Sequence, residues 1–206
     1  MLAAAVLAAG RSLRMGRPKA LLPCAPGAQD TFVARIVGAI QAAGVRGPLV
    51  VGRPDDRHLA DVVSTLQPAR FIANPNHAQG QLTSIVAALD ALGGTNLEGL
   101  LVMPVDMPSV TVDTFAAILQ AAAANPGRIV RACHAGRHGH PVVFDRGSFD
   151  GLRAADPSIG AKSVLRASPE RVLDVDTADP GVLQDVDTLE DYVAAFGHVP
   201  GSGLRK

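Results

Sequence analysis

Residues 7–23 read LAAGRSLRMGRPKALLP and concentrate more potential chemistry than any other stretch of the chain. Gly10 and Gly16 are set among Arg11, Arg14, Arg17 and Lys19. Glycines let a backbone approach a ligand closely and turn its N–H groups inward, and exposed amides of that kind bind anions. The interleaved cations can neutralise a polyphosphate. The spacing is not that of a P-loop, which needs Gly-x4-Gly-Lys-Ser/Thr: five residues separate Gly10 from Gly16, and Arg17 follows. Nor is there a Gly-x-Gly-x-x-Gly dinucleotide fingerprint here. The plain alternative is a basic surface loop.

A second candidate is Asp106, at the end of the apolar run LLVMPVDMP (100–108). A carboxylate at a strand's carboxyl end suits Mg²⁺, which takes one or two carboxylates plus substrate phosphates. A helix-capping or loop aspartate is the alternative. Residues 74–85, NPNHAQGQLTSI, read as a polar loop entering a helix, with Thr83 or Ser84 as cap. Such a helix start is also an anion site. Cys133, His134, His138 and His140 crowd together as zinc ligands would. Their spacing fits no standard structural site, however, and only one thiol is on hand. Zinc, an active-site role for His140 and a plain loop stay open. Two Asp-Val-Asp-Thr pairs, at 174–177 and 185–188, read as helix caps on their own.

The elements that must position these groups alternate. Apolar runs at 2–8, 48–52, 71–73, 100–105 and 129–132 read as strands, and 141–144 as another. Helical patterns occupy 30–43, 55–66, 82–92, 112–124 and 189–196. In the first helix Phe32, Val33, Ile36, Val37 and Ile40 follow the i, i+3, i+4 rule, with Asp30 or Thr31 as cap and Gly44 as stop. This rhythm predicts an α/β fold with parallel βαβ units: a single Rossmann-like domain over 1–196, a mostly parallel sheet with helices on both faces, and a flexible tail at 197–206. After residue 130 the pattern is less regular. The loop at Gly10 would lie at the carboxyl ends of the strands, where such folds bind ligands.

Composition narrows the classes. The 206 residues are 48% hydrophobic, enough for a core. Nineteen basic and nineteen acidic side chains cancel, and with no Trp, one Tyr and six Phe there are few stacking platforms. Nucleic-acid binding as the main task is excluded. Two cysteines make no disulfide framework, which points to a reducing compartment. The apolar run at 2–9 has no preceding Lys or Arg and is about half the ~18 residues of a membrane span. A soluble, cytoplasmic protein with no membrane contact is expected.

The loop also resembles the signature LAAG-x-S-x-R-M-G-x-x-K-x-L-L-P of the MobA-like nucleotidyltransferases, especially the molybdenum cofactor cytidylyltransferases. Leu7, Ala8, Ala9, Gly10, Ser12, Arg14, Met15, Gly16, Lys19, Leu21, Leu22 and Pro23 meet its fixed positions. Asn74, Gly80 and Ser84 match the family's N-P-x4–5-G-x3-S-L element, although GQLTSI stands here where relatives often have G-M-S-S-S-L. GHPVVF at 139–144 resembles G-H-P-V-L-F. Asp156, Gly160 and Ala161 match a G-D-x-G-A-R-x-L-L segment in which Lys162 replaces the arginine. DVDTLED at 185–191 resembles D-I-D-T-P-E-D, with Leu189 in place of proline.

The resemblance implies a fold of the nucleotide-diphospho-sugar transferase type and a Mg²⁺-dependent transfer of CMP from CTP to a molybdopterin-type acceptor, releasing pyrophosphate. It implies a nucleotide site of Leu7, Ala8, Ala9, Gly10, Arg11, Ser12, Gly16, Lys19, Asn74, Gly80 and Ser84. Catalytic roles fall to Arg14, Lys19 and Asp106, and metal binding to Asp106 and Asp187. His140 and Lys162 would meet the acceptor. Guanylyl-transferring relatives usually read L-A-G-G, so Ala9 favours CTP over GTP. A molybdoenzyme or its chaperone is the implied partner. The alternatives are another phosphorylated acceptor such as a sugar phosphate, a pigment or quinone reductase, and a non-catalytic nucleotide-binding partner of a molybdoenzyme.

Overall fold

The computed structural model describes residues 1–10, 15–26, 30–93 and 96–200. Arg11, Ser12 and Arg14, and residues 201–206 of the expected tail, lie outside the described residues. Among the described residues seven strands form one sheet: β1 (Leu2–Leu7), β2 (Leu49–Gly52), β3 (Arg70–Ala73), β4 (Gly99–Pro104), β5 (Ile129–His134), β6 (Arg137–Asp145) and β7 (Val172–Asp176). Their order is β3-β2-β1-β4-β6-β5-β7. β1 pairs in parallel with β2 and β4, β2 with β3, and β5 with β7. β6 alone runs against its neighbours. The sheet is mostly parallel, as expected, but it is not built of βαβ units throughout.

The cause of that departure is local. Only Ala135 and Gly136 join β5 to β6, both at positive φ (49° and 73°) as a two-residue hairpin turn requires. A link that short can only reverse the chain, so β6 returns antiparallel and takes the place beside β4. Most of the stretch 134–140, for which a plain loop was one open reading, is therefore strand. The segment 174–177 is not a helix cap: Asp174 and Asp176 belong to β7, and the Thr177 N–H donates to Cys133 O at 2.8 Å.

The helices are α1 (Phe32–Ala42), α2 (Arg57–Thr65), α3 (Gln81–Ala91), α4 (Val112–Ala124), α5 (Phe149–Ala154), α6 (Lys162–Ala167) and α7 (Leu189–Phe196). Thr31 caps α1 by accepting from the Ala34 N–H, while Asp30 pairs instead with Arg35. α3 starts at Gly80 with no side-chain cap. Thr83 donates its hydroxyl to backbone carbonyls and Ser84 accepts from Asn74, so neither caps as expected. β1 alternates as a buried strand should. Ala4 and Val6 pack with Ile36 and Ile40 of α1, Phe115 of α4 and Tyr192 of α7. Ala3, Ala5 and Leu7 face Leu82 and Ile85 of α3 and Leu152 of α5. Each large apolar side chain so buried stabilises the fold by about 1.5–3 kcal/mol.

Right-handed connections then decide where a ligand can sit. α1 and α2 carry the chain outward from β1 to β3 on one face; α3 brings it back to β4 on the other. Strand order reverses between β1 and β4, and their carboxyl ends open a crevice at that point. Among the described residues no helix is long and apolar enough to cross a membrane.

Candidate active site

β1 ends at Leu7, but the chain stays stitched to its neighbours a little longer. Ala8 N–H donates to Val51 O at 2.8 Å, and Val105 N–H donates to Leu7 O at 3.1 Å. Ala9 and Gly10 then leave the sheet. The far end of the loop is anchored by a helical turn, Lys19–Leu21, which buries Ala20 and Leu21. Leu22 is also buried, and its carbonyl accepts from the Phe32 N–H at 2.9 Å. The Tyr192 hydroxyl of α7 donates to Pro23 O, and the Tyr192 ring stacks on Phe32. Both ends of the loop are thus fixed to the core.

Lys19 projects from this anchor into the crevice, its side chain 11% exposed. Its Nζ donates to the Asp187 carboxylate and stands 3.5 Å from Asp106 Oδ2. Backbone contacts bring the two aspartates together. Val186 is buried, and its N–H donates to Asp106 O at 2.8 Å. The N–H groups of Asp187 and Thr188 both donate to Asp191 Oδ2, and Thr188 Oγ1 accepts from the Asp191 N–H, a capping box that starts α7. Burial pushes the Asp106 carboxyl above its ordinary range; Lys19 opposes this and Asp187 adds to it. Asp185 is raised by burial and by the neighbouring Asp106 and Asp187. Two of these carboxylates already converge on one cation, and oxygen donors of this kind suit Mg²⁺.

Two cavities meet here. One, of about 730 Å³, is lined by Leu7, Ala8, Ala9, Gly10, Gly16, Lys19, Gly80, Ser84, Asp106 and Asp187 of the expected residues. The other, of about 600 Å³, is lined by His140 and Lys162. Gln81, Pro104 and Asp106 belong to both. Gly80 at φ 122° begins α3 there, and a side chain would bring its Cβ to 2.9 Å from Pro157 O. Asn74 is not among the lining residues. It is buried, its amide donates to Thr83 Oγ1 and Ser84 Oγ, and its Oδ1 accepts from the Asn76 N–H. It braces the loop against α3 and does not face the cleft.

In the second cavity burial lowers the His140 pKa to about 4, with Lys162 adding to the effect, so the imidazole is neutral at physiological pH. The zinc reading finds no ligand set. His134 Nδ1 bonds to Thr177 O at 2.8 Å, His138 lies 3.5 Å from Asp174, and Cys133 is buried. Among the described residues no three His, Cys, Asp or Glu groups are gathered to hold a metal.

Several lining residues escaped the sequence reading. Arg53, Asp56 and His77 extend the first cavity, and Arg131, Arg137 and Asp185 the second. The available signal was position: Arg53 directly follows β2, and a charged residue at a strand's carboxyl end faces the crevice.

Comparison with known proteins adds to this geometry. A family model described as the MobA-like NTP transferase domain matches residues 4–172. The molybdenum cofactor cytidylyltransferase of Escherichia coli (strain K12) is 30% identical over 192 residues, covering 92% of this chain and 93% of that protein. A probable molybdenum cofactor guanylyltransferase of Rhodopirellula baltica is 34% identical over 128 residues, 62% of this chain and 58% of that protein. Among solved structures, a Mycobacterium tuberculosis protein crystallised as a manganese complex aligns with a TM-score of 0.72 at 25% identity, over 96% of this chain and 99% of that one.

Proposed function

Because the chain belongs to the MobA-like NTP transferase family and is a nucleotidyltransferase, we propose that it transfers CMP from CTP to a molybdopterin-type acceptor in the cytoplasm. The observation that carries this reading is the position of Asp106 at the junction of two cavities, beside Lys19 and Asp187. A donor in the first cavity and an acceptor in the second would meet at that carboxylate. The acceptor's phosphate oxygen attacks the α-phosphorus in line, the bond to the β-phosphate oxygen breaks, and pyrophosphate leaves. Such a transfer needs positioning and charge neutralisation more than covalent help. No general base is required, since a phosphate acceptor is already ionised at neutral pH.

The amides at Gly10 and Gly16, with Lys19 and Arg14, would hold the triphosphate and stabilise the departing charge. Lys19 would exchange its carboxylates for phosphate oxygens when the nucleotide enters. Asp106 and Asp187 would hold Mg²⁺, which when bound neutralises charge on the phosphates. The manganese complex of the mycobacterial neighbour supports a divalent metal. Lys162 would supply charge to the acceptor phosphate, and neutral His140 a hydrogen bond. The product would pass to a molybdoenzyme or its chaperone.

CTP is favoured by Ala9 and by the name of the E. coli relative; the R. baltica relative keeps GTP in view. The test is pyrophosphate release with CTP or GTP plus Mg²⁺, with and without molybdenum cofactor. Release that needs the cofactor and prefers CTP supports the reading. Release with GTP alone overturns the base, and silence with both overturns the acceptor.

A further inference from the structure

The inference rests on the first cavity being the nucleotide site, and it concerns the part of that cavity with no role so far. Lys19, Asp106 and Asp187 stand on its β4 side. In the other direction it runs over the ends of β2 and β3, past Arg53, Asp56 and His77. Neighbouring strands lie about 5 Å apart, so the end of β2 is about 10 Å from the end of β4, a span that a nucleoside covers from its α-phosphate to the outer edge of its base. A triphosphate seated at Lys19 would therefore direct its base towards β2.

Arg53 is held there by its own sequence. Residues 53–56, RPDD, form a turn with proline in the second position, closed by Asp56 N–H donating to Arg53 O at 3.1 Å. Asp56 then caps α2, its Oδ1 accepting from Leu59 N–H at 3.1 Å, so its carboxylate is committed to the helix. The Arg53 guanidinium lies 3.6 Å from Asp55 and 3.9 Å from Asp56. Both are ion-pair separations longer than hydrogen bonds. The two carboxylates orient the fork and leave its N–H donors available to a ligand.

Among the bases, cytosine alone presents two adjacent acceptors, N3 and O2, on its pairing edge. Uracil, the other pyrimidine, places an N–H between its two carbonyls, whereas guanine carries its adjacent acceptors, N7 and O6, on its opposite edge, so the fork separates cytosine from uracil. A guanidinium fork meets two adjacent acceptors with parallel hydrogen bonds, whereas an ammonium cannot. We propose that Arg53 selects between the pyrimidines in this enzyme, reading cytosine through N3 and O2 and rejecting uracil.

Calorimetric titration of CTP, UTP and GTP, with Mg²⁺ present, into the wild type, Arg53→Ala and Arg53→Lys tests this. The wild type is expected to bind CTP at least about tenfold more tightly than UTP, the lower range of what a bidentate base contact is worth. Arg53→Ala should bring the CTP and UTP affinities together by weakening CTP and leaving UTP as it was. Arg53→Lys keeps the charge and should still fail to separate CTP from UTP. A CTP-to-UTP ratio unchanged in both variants, or a wild type without preference for CTP over UTP, overturns the assignment while leaving the nucleotide site intact. A wild type that binds none of the three overturns the nucleotide site itself, and this assignment with it.

Discussion

Asp106 is a half-buried carboxyl with two acidic neighbours, a placement that costs stability and is offset by Lys19. Residues kept in such surroundings are candidates for chemistry. Asp106→Asn retains the shape of the side chain and removes its charge. Turnover, read as pyrophosphate release, is expected to fall by about 10²–10³, the scale of losing one preorganised electrostatic group. The melting temperature should stay at or above that of the wild type, because the like-charge contact with Asp185 and Asp187 is relieved. Wild-type turnover in this variant would remove Asp106 from the mechanism. Asn74 shows the converse case. Its residue type and motif suited a ligand contact, yet its amide is used up in bracing α3.

At the scale of elements, the site depends on where strands and loops are pressed together. β6 carries His140 into the second cavity, and Gly139 lies directly against the turn at 180–183. A Cβ at Gly139 would stand 1.9 Å from Val182 O, far inside contact distance. Gly139→Ala must therefore displace either that turn or the start of β6, and His140 with it. The KM for the acceptor should rise about tenfold or more, in line with the sensitivity of such reactions to misplacement. CTP affinity should be unchanged, since the nucleotide cavity is built on other strands. Equal loss on both sides would mean that the strand supports the whole site. The Thr188 and Asp191 capping box acts similarly for Asp187, fixing the start of α7 so that the carboxylate meets Lys19.

The whole molecule registers the half-buried His140 in its response to pH. His140 titrates at about 4 in the native state and near 6.5 when unfolded. Between those values the unfolded chain holds a proton that the native chain does not, so stability falls as pH drops through this window, by up to about 3 kcal/mol. Asp106 and Asp185, raised by burial, carry the opposite sign and lose stability as pH rises through their native values. The comparison is therefore with His140→Gln: urea unfolding from pH 7 to 4.5 should weaken the wild type more steeply than the variant, and equal slopes would dismiss the neutral imidazole. The sequence by itself determined the strand–helix alternation, the loop after β1 and an aspartate at the end of β4, because apolar periodicity and turn chemistry are local properties. Tertiary structure decided the rest. The antiparallel entry of β6 beside β4, the meeting of Lys19 with Asp187 across a separation of 168 residues, the inward turn of Asn74 and the arrival of Arg53 over the same cleft all depend on which distant surfaces bury one another. No local pattern encodes those pairings, since their free energy comes from apolar area and hydrogen bonds shared between segments far apart in the chain.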